Sequence, residues 1–147
     1  MCSSDLDVKG TNDFLDACKK TGVEPVLIER KTNVECLRIK ETCDALYDQM
    51  GLGYGVNAVE AWAMGLPVIA GAGEGTLARM RDTFGGLPFM QATPRTLADV
   101  LASLADPDTY REASTRGYDH YRRWHNGGET ARRLERAYAQ ALRGGIT

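Results

Sequence analysis

A glycine-rich turn that leads into a short helix carries the residues best suited to chemistry in this chain. Gly51, Gly53 and Gly55 occupy alternate positions, so the backbone there can adopt conformations that other residues avoid and can approach a ligand closely. A helix predicted from about Val56 to Met64 would point its N-terminal amides, and the positive end of its dipole, at that ligand. The combination predicts an anion site, and phosphate is the usual anion.

Glu60 adds a carboxylate to this turn and helix. On a helical wheel Val56, Val59 and Ala63 form the apolar face, and Glu60 lies at its border, about one turn from the helix start. A carboxylate is costly to bury unless hydrogen-bond donors meet it. The hydroxyls of a sugar or a ribose would be such donors, so we expect Glu60 to bind them.

The rest of the chain alternates short apolar runs with helical patterns, which is typical of an α/β domain with a parallel sheet. The predicted strands are Pro25–Ile28, Ala45–Met50, Pro67–Ala70 and an edge strand at Leu87–Met90. The expected central, parallel segments of the sheet are Val26–Ile28, Leu46–Gln49 and Val68–Ala70. Helices are predicted between these strands, with Asn33 capping the second of them, and two more helices, 108–125 and 129–143, end the chain.

Composition places the chain among globular domains of ordinary size. It has 147 residues, 43% hydrophobic content and a formal net charge of −2, and no apolar run approaches the length of a membrane span. The four cysteines (Cys2, Cys18, Cys36 and Cys43) form no CxxC pair and have no histidine at metal-binding spacing. We therefore predict free thiols in a reducing cytoplasm, and no metal site.

The stretch from Gly53 to Ala70 resembles the donor-binding signature of retaining glycosyltransferases with the two-domain GT-B fold, of the glycosyl transferases group 1 or family 4 type. In that signature a Gly-aromatic-Gly turn precedes a Glu-Ala-x-Ala-x-Gly-x-Pro-Val helix and strand, and the same order of residue types stands here. Lys9 and Gly10 resemble the Lys-Gly element that opens the first helix of the same domain. The resemblance extends roughly from Lys9 to Leu142 and implies a three-layer, Rossmann-like domain that forms the C-terminal half of a GT-B enzyme.

The resemblance also implies roles for individual residues. Glu60 would hold the ribose of the donor, and Lys9 would meet the diphosphate as the catalytic cation. The donor-binding turn beside the distal phosphate comprises Gly53, Tyr54, Gly55 and Val56. No cofactor is implied beyond the nucleotide-diphosphate sugar that serves as donor substrate, and no metal is implied.

One position departs from the family pattern. The family's first glutamate should fall eight residues before Glu60, and Leu52 stands there. A leucine cannot accept a hydrogen bond from a sugar hydroxyl, so that contact must be absent or come from another group. Asp48 and Gln49, at the carboxyl end of the preceding strand, are the expected substitutes. An arginine that often precedes the Lys-Gly element is also missing.

The implied reaction is transfer of a sugar, with retention, from a nucleotide-diphosphate donor to an unknown acceptor. Negative charge grows on the leaving diphosphate as the glycosidic bond breaks, and Lys9 together with the amides of Gly53–Val56 would stabilise it. The implied partners are the nucleotide sugar and a missing N-terminal acceptor domain. No nucleic acid is expected as a partner.

The first residues suggest that the chain is a fragment. Met1–Leu6 is neither a signal peptide nor a sensible strand, and its Cys-Ser-Ser-Asp-Leu matches one reading frame of a common sequencing-library adapter. We expect a leader at 1–8 that is unstructured or artefactual, a nucleotide-sugar-binding domain at 9–107, and C-terminal helices at 108–147 packed on that domain. Such a fragment is expected to be inactive alone.

The C-terminal segment is rich in arginine. From Arg111 onward the chain holds eight arginines and four acidic residues. This surplus could touch an anionic membrane or a nucleic acid, or it could simply form the solvated face of amphipathic helices, which is the interpretation we favour. The expected location is the cytoplasm, with a peripheral membrane contact as an alternative. His120 and His125 lack a nearby nucleophile or metal partner in sequence, so no chemistry is assigned to them.

Two other functions stay open. In a dinucleotide-binding oxidoreductase, Gly51 and Gly53 would begin the G-x-G-x-x-G turn and Glu74 would bind the ribose of NAD or NADP. However, the third glycine of that motif would be Val56, and Glu60 would have no role. The third reading is a non-catalytic nucleotide-binding module.

Overall fold

The computed structural model describes residues 10–144 as a mixed α/β fold with a small parallel sheet of three strands. The helices are α1 (Thr11–Thr21), α2 (Asn33–Lys40), α3 (Val56–Ala63), α4 (Glu74–Phe84), α5 (Leu97–Ser103), α6 (Pro107–His120) and α7 (Gly127–Gly144). A π-helical turn, Tyr121–His125, joins α6 to α7. The strands are β1 (Leu46–Tyr47), β2 (Val68–Ala70) and β3 (Met90–Gln91). The leader predicted for 1–8, and Lys9, lie outside the described residues.

The three strands lie in the sheet in the order β1-β2-β3 and run parallel. Leu46 pairs with Val68, and Ile69 pairs with Met90. Each strand is joined to the next by a helix, as parallel pairing requires. The parallel pairing predicted between the second and third apolar runs is thus confirmed. The edge strand predicted at Leu87–Met90 is confirmed only in part, because β3 covers Met90–Gln91 and residues 87–89 are not in a strand.

The prediction of a strand at Val26–Ile28 is wrong. Residues 23–29 have no regular structure, and Val26 and Leu27 are 50% and 51% exposed. The segment borders a cavity of about 730 Å³, which β1 also lines, instead of forming a ladder with that strand. Pro25 removes one backbone donor from the segment, and a short apolar run does not specify which strand it would pair with.

The core consists of two apolar clusters to which β2 contributes alternately. Val68 and Ala70 belong to one cluster with Trp62 of α3, whereas Ile69 belongs to the other with Leu97 of α5. Successive side chains of a strand point to opposite faces, so helices cover the sheet on both sides. The buried β2 therefore fixes the positions of the two loops that follow β1 and β2.

The last two helices differ in how they meet the domain. Helix α6 packs against α3 and β2, whereas α7 packs against the π-helical turn. Residues 130–143 of α7 are exposed except for the half-buried Ala139, and Leu134, Tyr138 and Leu142 lie among the exposed apolar side chains. None of the helices described is both long and apolar enough to cross a membrane.

Candidate functional site

The loops that follow β1 and β2 are tied together at the carboxyl edge of the sheet. The Gly53 amide donates to the Gly71 carbonyl at 2.9 Å, and the Gly71 amide donates to the Gln49 carbonyl at 2.8 Å. Leu52 and Ala72 form an antiparallel bridge between the same two loops. Because these backbone bonds cross-link the loops, the glycine turn is held against the second loop instead of hanging free.

Asp48 binds the backbone at the start of α3. Its Oδ2 accepts a hydrogen bond from the amide of Gly55, the N-cap residue, at 2.6 Å. A carboxylate at a helix N-terminus is stabilised by the helix dipole. The Asp48 carboxylate therefore neutralises part of the positive potential that was expected to attract an external anion. Val56, the first residue of the helix, is 74% exposed and leaves the adjoining amides near solvent.

The Tyr54 side chain points away from solvent, into an aromatic cluster. Its Oη lies 3.1 Å from Nε2 of His120 and 3.1 Å from Nε2 of His125. Its ring meets that of Trp62 edge to face, with centroids 4.8 Å apart, and burial raises the pKa of the phenol. The Tyr54 side chain therefore anchors the turn. The main chain of Tyr54 remains the part of the residue that can contact a ligand.

His120 and His125 are neutral partners of this phenol at pH 7. Burial, and secondarily the charge of His125, lower the pKa of His120 to about 4, and burial lowers the pKa of His125. The single phenol proton can be donated to one imidazole while the other imidazole donates to Oη. This cluster was not predicted, because both histidines lie far along the chain from Tyr54.

The carboxylate of Glu60 is met by donors from α2. Lys40 Nζ lies 2.5 Å from Glu60 Oε2, and Asn33 Nδ2 donates to Oε1 at 3.1 Å. Lys40 also donates to Asn57 Oδ1 at 2.8 Å. The Lys40 side chain is 4% exposed and that of Glu60 is 22% exposed. The donors required for a carboxylate at this border position are therefore present within the chain.

Neither donor to Glu60 was predicted from the sequence. Asn33 was predicted to cap α2, but Thr32 is the N-cap, in a capping box with Glu35, and Asn33 instead reaches Glu60. Lys40 lies four positions after Cys36, which is partly buried on the same side of α2. That i, i+4 spacing was the one signal that Lys40 faces inward.

The remaining predicted residues fall as follows. The Leu52 side chain, at the position of the family's first glutamate, is 68% exposed. Gln49 is placed by its carbonyl in the cross-link between the two loops. Gly10 accepts a hydrogen bond from Tyr47 Oη at 3.1 Å, so α1 begins beside the end of β1. Lys9 lies outside the described residues.

The chain from Gly10 to Gly144 contains no group of three or more His, Cys, Asp or Glu side chains that could hold a metal ion. Cys18, Cys36 and Cys43 are free thiols. Fold and site together define a mixed α/β domain with a candidate anion site at the carboxyl edge of its sheet. No family model, curated protein or solved structure matches the chain.

Replacing Gly53 with alanine should lower the free energy of unfolding by about 1–2 kcal/mol, because its φ of +88° is unfavourable for a residue with a Cβ. The added Cβ would also lie 2.6 Å from Met80 Cε, which would have to move. Gly55 is the matched control: its φ is −119°, and a Cβ there would lie 3.6 Å from Asp48 Oδ2. Urea denaturation should show little change for Gly55→Ala, and equal losses would contradict this account of the turn.

Proposed function

We propose that this domain binds the nucleoside diphosphate part of a nucleotide sugar and forms the donor-binding half of a retaining glycosyltransferase. The observation that carries the proposal is the exposed start of α3, at the carboxyl edge of a parallel sheet, with Glu60 one turn further along the same helix. A phosphate at that start would meet helix amides and the positive end of the dipole. The ribose would then extend toward Glu60.

Glu60 is suited to a ribose even though Lys40 and Asn33 already bind it. A carboxylate has about four lone-pair positions, so it can accept a hydroxyl donor while it keeps its two protein partners. Its side chain is still 22% exposed. In this proposal the buried Lys40 orients the Glu60 carboxylate, and the ribose hydroxyls bind the accessible part of that carboxylate.

The fold supports the same proposal at a coarser level. Helices on both faces of a parallel sheet suit the Rossmann-like, three-layer domain of a GT-B enzyme. With Asp48 engaged at Gly55, Gln49 is the better substitute for the family glutamate that Leu52 replaces. Lys9 is the proposed diphosphate cation, and the acceptor would be positioned by a separate N-terminal domain.

The proposed catalysis is electrostatic. Cleavage of the glycosidic bond leaves a nucleoside diphosphate with one more negative charge, and Lys9 and the turn amides would stabilise that charge as it develops. Transfer also requires an acceptor held in reacting geometry, an advantage worth roughly 7–11 kcal/mol. In this proposal the present domain supplies donor binding, and the acceptor domain supplies that geometry.

Calorimetry with UDP, GDP, ADP and NAD tests the proposal. We expect one of the nucleoside diphosphates to bind more tightly than NAD, and Glu60→Gln to weaken it roughly tenfold, because a neutral amide makes a weaker bond to a hydroxyl than a carboxylate does.

Glu74→Gln is the matched control for this measurement. Glu74 begins α4, where the oxidoreductase alternative requires a ribose-binding acid, and it is ion-paired with Arg81 at 2.8 Å. Its replacement should leave nucleoside diphosphate binding unchanged. Tighter binding of NAD that depends on Glu74 would support the oxidoreductase instead, and binding of none of the four nucleotides would refute the proposed function.

A further inference from the structure

We infer that His120 and His125 are positioning residues that latch Tyr54, and with it the glycine turn, and that the latch opens when both imidazoles are protonated. The latch is a property of the fold. Its effect on ligand binding rests on the proposed function, since it requires the Gly53–Val56 turn to hold the phosphates.

The π-helical turn is what allows two histidines to reach one phenol. Residues five apart point in directions about 140° apart on an α-helix, because each residue turns by about 100°. A π-helical turn has i→i+5 hydrogen bonds and brings residues five apart nearly above one another. His120 ends α6 and His125 ends the π-helical turn, and both Nε2 atoms lie 3.1 Å from Tyr54 Oη.

The number of hydrogen-bond donors and acceptors in the cluster determines how many protons the two histidines can bind before the latch opens. With both imidazoles neutral, Tyr54 donates to one Nε2 and accepts from the other. After one protonation, the imidazolium donates to Oη and the phenol donates to the remaining neutral Nε2, so all partners are still satisfied. After the second protonation both Nε2 atoms are donors and the phenol proton has no acceptor. Two cations then lie with ring centroids 5.3 Å apart.

The surroundings disfavour that doubly charged state. Helices α3 and α4 and the loop before β3 contribute the rings of Trp62, Phe84 and Phe89. The π-helical turn and α7 contribute the guanidinium groups of Arg123 and Arg133, 5.4 and 4.1 Å from the Trp124 ring centroid, and Arg133 is paired with Glu129. On α6 itself, Arg116 is paired with Glu112.

Burial keeps both imidazoles neutral, and the latch closed, at neutral pH. The lowered pKa of each histidine means that the second proton binds only in acid, when the two groups titrate as a coupled pair. In the doubly protonated state the phenol proton has no acceptor and the two imidazolium ions repel each other, so the contact between Tyr54 and the histidines breaks. Gly53 and Gly55 then lose the anchor that the Tyr54 side chain provides, although their backbone hydrogen bonds to Gly71 and Asp48 remain. The amides at the start of α3 are thereby positioned less well for a phosphate.

Nuclear magnetic resonance of the chain without ligand tests the latch. In an acid titration from pH 7.5 to 3.0, the amide signals of Gly53 and Gly55 should shift with the same midpoint as the second histidine ring. In His125→Gln, which cannot gain a proton, and in Tyr54→Phe, which keeps the ring without the hydroxyl, that component should disappear. Amide signals that ignore the histidine titration, or that titrate unchanged in both variants, would overturn the inference.

Binding of UDP extends the test to the proposed function. Its affinity should fall at least tenfold between pH 7.5 and 3.0 in the unmodified chain, and clearly less in His125→Gln. Protonation of the UDP phosphate, with a pKa of about 6, affects both proteins equally and cancels in the comparison. Equal losses in both proteins would overturn the effect on binding. If UDP does not bind at all, the proposed function fails while the amide titration still decides the latch.

Discussion

Glu60→Ala is expected to lower the free energy of unfolding by about 3 kcal/mol, the loss typical of breaking a buried ion pair from one side. The variant leaves the Lys40 ammonium, whose side chain is 4% exposed, with Asn57 as the partner that remains from this cluster. An ammonium that has lost its counter-ion in a nearly dry site leaves an uncompensated charge, which costs stability. Urea denaturation measures the loss directly.

Glu74→Ala is the control for this prediction. Glu74 also pairs with a cation, Arg81, at 2.8 Å, but the two side chains are 76% and 43% exposed. Exposed pairs contribute little, so this variant should unfold nearly as the unmodified chain does. The double variant Lys40→Met, Glu60→Leu should recover much of the stability lost in Glu60→Ala, because it removes the stranded charge. Similar losses for the two single variants would contradict the assignment of Lys40 and Glu60 as a buried pair.

Gly117→Ala is expected to lower the free energy of unfolding by about 2 kcal/mol, although alanine favours helices. A Cβ at Gly117 of α6 would lie 2.5 Å from Trp62 Nε1 and nearer still to Cδ1, and the indole is fully buried in the core. The helix propensity gained is about 1 kcal/mol, and overpacking of this severity costs about 3 kcal/mol. The measurement is again a denaturation midpoint at constant m-value.

Gly75→Ala is the control that separates the effect of helix propensity from the effect of steric packing. Gly75 also lies in a helix, α4, but nothing lies within 4 Å of a Cβ built there. Alanine at that position should leave stability unchanged or raise it slightly. If Gly117→Ala behaved like Gly75→Ala, α6 would not be pressed against Trp62 as closely as the structure indicates.

The central part of the fold was predictable because its signals are local. Apolar runs at Leu46–Gln49 and Val68–Ala70, with a helical pattern between them, predict two adjacent parallel strands, and the structure contains them. The run at Val26–Ile28 has the same apolar composition but does not form a strand. Apolar composition records a tendency toward burial, whereas strand formation also needs a backbone partner, which the run does not specify.

The candidate site was predictable only in part. The predicted apolar face of α3, Val56, Val59 and Ala63, is wrong, because the buried residues of the helix are Ala58, Ala61 and Trp62 and both Val56 and Ala63 are exposed. The Glu60 carboxylate does meet hydrogen-bond donors, but its position in the sequence did not reveal that Lys40 and Asn33 of another helix supply them. The pairing of His120 and His125 at Tyr54 depends on a π-helical turn, for which the residues gave no pattern. Contacts between distant segments depend on how whole helices and strands pack, so they cannot be predicted from one short segment of the sequence.

The sheet order repeats the order of the chain, and this has a consequence for how the molecule assembles. Each strand pairs with the next strand along the chain, with one helix between them, so both pairings close short loops. The packing of α1 on α5, by contrast, joins the two ends of this region and spans all three strands. Short loops close first because they lose less chain entropy. We therefore expect the sheet with α3 and α4 to form before α1 docks onto α5.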